Sequence, residues 1–146
     1  MAKPKKPAVE GWFTMDEAAP ELIGMRGKDT GSYFFPPTGA ISADPSSPFE
    51  EREEVRLSRR GRVWSWTTGN YQPPAPYVSP DPFEPYAVVA VELAEEKMVI
   101  LGQLAKGVSP DDVSLGQEME LVLDTLFEDD DAEYMIWKWR PTEAAA

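Results

Sequence analysis

Residues 86–104 read YAVVAVELAEEKMVILGQL and are the most clearly patterned stretch of the sequence. The first part, Tyr86–Leu93, is rich in β-branched residues and almost continuously apolar, which is typical of a central strand. The second part, Met98–Leu104, follows the short polar turn Ala94–Lys97, so the two segments predict an antiparallel hairpin. The fold is therefore expected to be a β structure that extends outward from this hairpin.

Three further strands are predicted around the hairpin from their alternation of side chains with a period of two. They are Arg62–Thr67, Glu118–Phe127 and Tyr134–Arg140. Ser109 and Pro110 predict a capped helical turn between the third and fourth strands. Val55–Leu57 is expected to pair with the first strand across the turn at Ser58–Gly61. Five strands without a long helix predict a mainly β protein, with a five-stranded OB-type Greek-key barrel over residues 50–141.

The segment before the barrel is laid out like a zinc-ribbon knuckle. Residues 24–47, GMRGKDTGSYFFPPTGAISADPSS, comprise a Gly-rich turn, an aromatic strand ended by two prolines, and a second polar turn. A zinc knuckle carries a Cys pair in each turn, but this sequence has neither Cys nor His. Residues 22–49 therefore predict a degenerate, metal-free ribbon. Residues 1–21 predict a partly disordered lead, and residues 142–146 a disordered tail.

The formal net charge of −12 argues against nucleic acid as a partner, because phosphate backbones are bound by neutralising them with Lys and Arg. No signal peptide is visible, and no stretch approaches the roughly 18 apolar residues of a membrane span, so we expect a cytoplasmic protein. Positive charge is concentrated in five arginines, Arg52, Arg56, Arg59, Arg60 and Arg62. They are either a solvated shoulder interleaved with glutamates or a local anion-binding or docking patch.

The segment between the first two barrel strands, residues 69–85, is rich in proline and carries Tyr71, Tyr77 and Phe83. Loops of this length without secondary structure are uncommon in compact domains and are often functional. Proline lowers the entropy cost of presenting the rings to a partner. The alternative is that the rings fold back and plug the mouth of the barrel.

Catalytic motifs are missing from the sequence. Without Cys and His, neither a thiolate nucleophile nor the usual base for a serine nucleophile is available. The acidic run 128–133 lacks the spacing of a calcium loop and is read as a solvated hairpin tip. The alternating tryptophans Trp64/Trp66 and Trp137/Trp139 are interpreted as core or interface packing rather than as stacking platforms for nucleobases.

The order "LIGMRGKDTGSYFFPPTGAISADPSS…LSRRGRVWSWT…PYAVVAVEL…MVILGQL…VSLGQEMELVL" resembles the OB-fold proteins with an N-terminal rubredoxin-like zinc ribbon, often called acyl-CoA-associated. The resemblance runs from about Leu22 to Pro141. It implies a small subunit that partners thiolase-fold enzymes acting on acyl-CoA thioesters. Such partners include lipid-transfer-type thiolases and the aldolases of sterol side-chain breakdown.

The resemblance also locates the departure from the family pattern. Its four zinc cysteines would fall on Gly27, Thr30, Ser42 and Ser47, none of which can act as a thiolate ligand. No metal and no cofactor are therefore expected. We expect the lost folding energy of the ion to be offset by Phe34, Phe35 and Phe49 packing on the barrel, or by a partner protein.

The resemblance thus implies a non-catalytic accessory subunit of a hetero-oligomer with a thiolase-like protein, located near the partner's acyl-CoA site, and the lack of Cys and His agrees with a non-catalytic role. Arg59, Arg60 and Arg62 are candidates for contact with a CoA phosphate. Candidate partner contacts are Tyr71, Tyr77, Phe83, Phe34 and Phe35. The alternative is a stand-alone acyl-CoA- or lipid-binding OB module, and an OB-type single-strand nucleic-acid binder is disfavoured by the charge.

Overall fold

The computed structural model describes residues 3–37, 44–74 and 85–142, in which the regular structure is almost entirely β. In chain order, the elements are β1 (Lys5–Pro7), β2 (Ile23–Gly27), β3 (Tyr33–Phe34), β4 (Arg52–Arg56), β5 (Arg60–Gly69), β6 (Tyr86–Leu93), β7 (Met98–Leu104), a 3-10 turn (Pro110–Asp112), β8 (Glu118–Glu128) and β9 (Glu133–Pro141). Within these ranges, no helix combines the length and the apolar character that crossing a bilayer requires. The predicted mainly β class is confirmed.

The central hairpin forms as the sequence predicts. β6 and β7 pair antiparallel from Leu93 opposite Met98 to Val88 opposite Gln103. The turn closes through Lys97, whose N–H donates to the Leu93 carbonyl at 2.9 Å. Val89 and Val91 are fully buried, so the hairpin contributes the middle of the barrel core.

The sheet around this hairpin closes on itself. β5 pairs antiparallel with β6 and with β8, and β8 pairs antiparallel with β9. β9 then pairs in parallel with β7 over only two positions, Gln103 opposite Lys138 and Leu104 opposite Trp139. The resulting order, β5–β6–β7–β9–β8–β5, is a five-stranded barrel of Greek-key type, and the predicted OB-type fold is confirmed.

Trp139 fills the centre of the barrel and is fully buried. A Cβ atom added at Gly102 would lie 2.8 Å from the Cδ1 atom of Trp139, so the strand can cross this ring only where it has no side chain. Met119 and Leu121, which are two residues apart in β8, are both fully buried, as the period-two alternation of this strand requires. Leu123 packs against the same core from a half-buried position.

A separate small sheet has the order β3–β2–β4. The prediction that Val55–Leu57 pairs with the first barrel strand is wrong. β4 pairs instead with β2, from Ile23 opposite Arg56 to Gly27 opposite Arg52. The physical reason is that β5 already uses its edges for β6 and β8. β4 can therefore pair only in the small sheet, where its alternating charges suit an edge.

The N-terminal residues differ from the expected disordered lead. β1 runs parallel to β9, with Lys5 opposite Glu133 and Pro7 opposite Met135. Flanking bonds join Glu133 N–H to the Pro4 carbonyl at 3.0 Å and Ala8 N–H to the Met135 carbonyl at 2.8 Å. Since β7 pairs with β9 only further along that strand, the first part of this edge is open, and β1 occupies it.

Two predicted turns are as expected. Ser109 caps the 3-10 turn, and its hydroxyl accepts from the Asp111 N–H at 3.2 Å. At the acidic tip between β8 and β9, one Asp129 oxygen accepts the N–H groups of Asp131 and Ala132, both at 2.8 Å. The other oxygen accepts the Tyr134 hydroxyl at 2.9 Å. The Asp129 carboxylate therefore organises a hairpin tip.

Candidate functional site

The first turn of the ribbon-like segment directly follows β2. The Gly31 N–H donates to the Gly27 carbonyl, and the Gly27 N–H donates to the Ser32 carbonyl, both at 2.9 Å. Gly31 has a φ of +74°, a conformation that L side chains rarely adopt. The turn leaves the N–H groups of Asp29 and Thr30 to bind a group from another part of the chain.

That group is the carboxylate of Glu50, which is only 8% exposed. Its Oε1 atom accepts the N–H of Asp29 at 3.1 Å and that of Thr30 at 3.0 Å. Its Oε2 atom accepts the Thr30 hydroxyl at 2.9 Å. Hydrogen bonds to an ionised acceptor are about twice as strong as neutral ones, so Glu50 is a firm anchor for this turn.

The second turn is organised by Asp44. The Asp44 Oδ1 atom accepts the Ser46 N–H at 3.0 Å and the Ser46 hydroxyl at 2.6 Å. The Oδ2 atom accepts the Ser32 hydroxyl at 2.7 Å, which joins the second turn to the first. We call Thr30, Ser32, Asp44, Ser46 and Glu50 the turn cluster.

The hydrogen bonds to Asp44 also change its acidity. The Ser46 hydroxyl, followed by the Ser32 hydroxyl and the Ser46 N–H, lowers the pKa of Asp44 from 3.8 to about 2. These donors stabilise the ionised carboxylate more than its protonated form, and this difference lowers the pKa of Asp44.

The four positions that correspond to the zinc cysteines do not fit a zinc ion. Gly27 offers no side chain, and the Thr30 hydroxyl already contacts both Glu50 oxygens. Ser47 contributes its backbone to the second turn, donating to the Asp44 carbonyl at 3.1 Å, and Ser42 lies outside the described residues. In the described parts of the chain, no group of three or more His, Cys, Asp or Glu residues is arranged to hold a metal. Structural zinc sites need four such ligands, usually thiolates or imidazoles.

Aromatic contacts attach the small sheet to one end of the barrel. The Phe35 ring meets the Trp137 ring edge-on with a centroid distance of 5.5 Å and the Trp12 ring at 5.6 Å. Phe13 meets Trp137 at 5.8 Å. The expected packing of Phe35 on the barrel is confirmed.

The other two phenylalanines behave differently. Phe34 is half-buried within β3. The expectation for Phe49 is wrong, because its side chain is 87% exposed. The adjacent aromatics Trp12 and Phe13 do the packing instead, and they precede every periodic segment, so periodicity could not identify them.

The three arginines proposed for a CoA phosphate lie in the first residues of β5 or directly before it, and each contacts a different part of the chain. Arg59 donates through Nε to the Pro20 carbonyl at 2.9 Å and through Nη2 to the Leu121 carbonyl at 3.4 Å. Arg60 lies 3.9 Å from the carboxylates of both Glu118 and Glu120. Arg62 donates to the Gly116 carbonyl at 3.0 Å. All three thus contact oxygen atoms of the chain itself.

An apolar row crosses the outer face of the barrel. Trp64 is the extra residue of a β-bulge, where Val63 faces Val91 and Ser65 faces Ala90. Ala90 is paired in turn with Leu101 on β7. On the other side of β5, Gly116 N–H donates to the Val63 carbonyl at 2.9 Å, so Leu115 and Trp64 are each adjacent in sequence to one residue of this bonded pair.

The row consists of Leu115, Trp64, Ala90 and Leu101. Its three large side chains are mostly exposed, whereas Ala90 between them is only 7% exposed. Leu115 is 69% exposed, Trp64 63% and Leu101 60%. Single exposed apolar residues are common on proteins, but adjacent ones indicate an interaction surface. Patterning identified Trp64, whereas the row depends on the bulge and on pairing across three strands.

The Pro-rich segment begins at the far end of the β5–β6 pair. Gly69 faces Tyr86 there, whereas the small sheet attaches at the other end, where Ser58 donates through its N–H and its hydroxyl to Glu96. Tyr71 is 87% exposed. Tyr77 and Phe83 lie outside the described residues, so a face shared by this segment and the ribbon stays a prediction.

We expect the purified protein to contain no zinc, because the turn cluster supplies no thiolate or imidazole. Elemental analysis of the protein before and after chelator treatment measures this. Near-stoichiometric zinc that survives the chelator would contradict the expectation.

We expect Asp44 to titrate at about 2, and replacing Ser46 with Ala to raise its pKa towards 3.8. Because the pKa is lowered in the folded state, the stabilising contribution of Asp44 is present above pH 3.8 and is lost as the pH falls through about 2. Side-chain carboxyl NMR titration measures both values. An unchanged pKa in Ser46→Ala would show that the serine is not the cause.

The barrel fold agrees with what comparisons against known proteins found. Residues 54–124 match a family described as the C-terminal OB-fold domain of ChsH2. No curated protein matches the sequence at a significant level. A chain of a solved structure named "Ltp2-ChsH2(DUF35) aldolase" is 26% identical with a TM-score of 0.60, and the match covers 93% of this chain and 98% of that chain. Residues 54–124, which contain four of the five barrel strands up to Asp124 in β8, are therefore similar to the ChsH2-type C-terminal OB-fold domains.

Proposed function

We propose that this chain is a non-catalytic accessory subunit of a hetero-oligomeric enzyme whose other chain is thiolase-like and acts on acyl-CoA thioesters. The observation that carries the proposal is the likeness to the ChsH2-type chain of an aldolase whose name joins two proteins, over 93% of the present chain. The thiolase-like partner and the acyl-CoA substrate follow from the family resemblance of the sequence.

The side-chain chemistry supports an accessory role. Without Cys or His, the nucleophile and its base must come from the partner. The resolved pKa shifts among the described residues have local causes. The pKa of Lys5 is raised by its hydrogen bond to Glu17, and that of Asp129 is lowered by the Ala132 and Asp131 N–H groups. Such shifts organise turns and surface pairs rather than a cleft with matched acid and base groups.

The apolar row is the surface that binds the partner subunit. Trp64 belongs to one of the residue types that dominate binding energy at interfaces, and the neighbouring leucines extend the apolar contact area around it. A second copy of this chain is a poor occupant, because two chains with a net charge of −12 each repel one another. The occupant is therefore the enzyme chain, with an apolar contact surface and a neutral or basic rim.

The Pro-rich segment with Tyr71 and Tyr77 is the second contact with the partner. Tyr71 is exposed on a segment that is too rich in proline to form a strand. Arg60 and Arg62 keep exposed side chains and are the arginines available to a CoA phosphate. Arg59 is half-buried against two backbone carbonyls and connects β8 to Pro20, three residues before β2.

We expect the isolated chain to have no thiolase or aldolase activity and to co-purify with the product of an adjacent thiolase-like reading frame. Activity assays on the isolated chain, on the enzyme chain and on the pair measure the division of roles. Turnover of an acyl-CoA by the isolated chain, abolished by a point change within it, would overturn the accessory role.

Truncating the row should weaken the complex without unfolding the barrel. We expect Trp64→Ala with Leu101→Ala to raise the Kd at least tenfold, which is about 1.4 kcal/mol. We expect the same from Tyr71→Ala with Tyr77→Ala. Exposed positions change folding stability by only about 0.5 kcal/mol, so thermal unfolding of each isolated variant should stay close to that of the parent.

Phe49→Ala is the matched control, since it removes an exposed aromatic ring that lies outside the row and outside the Pro-rich segment. Titration calorimetry with the enzyme chain compares the three variants. If the Trp64/Leu101 variant binds the enzyme chain with the same Kd as the unaltered protein, the row is not part of the interface. Unfolding of the Tyr71/Tyr77 variant with an unchanged residual affinity would identify those rings as barrel plugs.

A further inference from the structure

The small sheet is too small to be stable through its own strands. β2 and β4 have five residues each, and β3 has two. Isolated sheets of this size are at best marginally stable in water. In a zinc ribbon, the ion supplies the missing folding energy by tying the two turns together. Since the residues here do not fit an ion, another group must join the turns.

We propose that the carboxylate of Glu50 takes the place of the metal ion and closes the small sheet. Glu50 follows the second turn, to which its own N–H is bonded through the Ser47 carbonyl at 3.2 Å. Its side chain reaches the first turn, where it accepts the N–H groups of Asp29 and Thr30 and the Thr30 hydroxyl. One buried residue thus connects both turns.

A side chain at Gly27 would require the Glu50 carboxylate to leave its observed position. A Cβ atom added at Gly27 would lie 2.2 Å from the Glu50 Oε1 atom and 2.3 Å from its Cδ atom. Real Cβ atoms essentially never approach another atom so closely. The carboxylate therefore fills the volume that a cysteine side chain at position 27 would need.

The neighbouring backbone fixes Glu50 at this place. Lys28 N–H donates to the Glu51 carbonyl at 2.8 Å, and Gly27 faces Arg52 in the pairing of β2 with β4. The chain therefore enters β4 directly beside the first turn. Glu50 is the residue at that entry whose side chain is directed inwards, whereas the Glu51 side chain is 77% exposed.

Glu50→Ala and Glu50→Gln test the proposal, with Glu51→Gln as the matched control. Glu51 is adjacent and acidic, but exposed, and lies 3.3 Å from Lys28. Loss of the carboxylate leaves the Asp29 and Thr30 amides without this acceptor. We expect Glu50→Ala to lower the Tm by roughly 4–10 °C, Glu50→Gln by less, and Glu51→Gln by no more than about 2 °C.

Amide hydrogen exchange measures where the structure opens. We expect protection of Asp29 and Thr30 to fall at least tenfold in Glu50→Ala, while Val89 and Val91 in the barrel stay protected. Retained protection of Asp29 and Thr30 would overturn the proposal. So would a chelator that lowers the Tm of the unaltered protein, with zinc restoring it.

A double-substitution cycle with Gly27→Ala adds a further test, because a general loss of stability would not make the two changes in Tm non-additive. Gly27→Ala should lower the Tm in the Glu50 background because the new methyl group meets the carboxylate. It should lower the Tm much less in Glu50→Ala, where that contact is gone. Additive effects of the two substitutions would refute the placement of Glu50 against Gly27. All these measurements use the isolated chain, so their outcome is independent of the partner enzyme.

Discussion

The short parallel pairing of β7 with β9 is the contact on which the rest of the molecule depends, because it closes the curved sheet into a barrel. Closure removes the edges that an open sheet would expose, and it places Trp139 across Gly102 in the centre of the core. The same strand then carries Trp137, against which Trp12, Phe13 and Phe35 pack. The small sheet is therefore attached to a surface that exists only once the barrel has closed.

Two buried carboxylates bind donors in or next to the small sheet, whose residues do not fit a zinc ion. Glu96, at 7% exposure, accepts the Ser58 N–H and hydroxyl and fixes the crossing from the small sheet to the barrel. Glu50, at 8%, accepts the donors of the first turn. Buried charges persist when donors satisfy them. In our proposal, these bonds and the aromatic contacts together supply what an ion would contribute, without any need for thiols.

The distribution of side chains supports the accessory role that we propose. The sequence has neither Cys nor His, and the carboxylates with resolved pKa shifts, Asp44 and Asp129, organise turns. Three exposed apolar side chains, in contrast, belong to the row on the outer face of the barrel, namely Leu115, Trp64 and Leu101. A rigid barrel can present such a face at little entropy cost on binding, because its backbone is already ordered.

The sequence by itself determined the β class, the central hairpin and the OB-type barrel. Strand alternation is a local property, so residues two apart report which face is buried. Only the tertiary structure decided the partners of β1 and β4, because pairing depends on which edges other strands leave open. The role that we propose for Glu50 could not be predicted from the sequence either, because Glu50 lies 20 residues from Thr30 in the chain and contacts it only after the sheet has folded. The apolar row likewise exists only because a bulge and two pairings bring separate residues side by side.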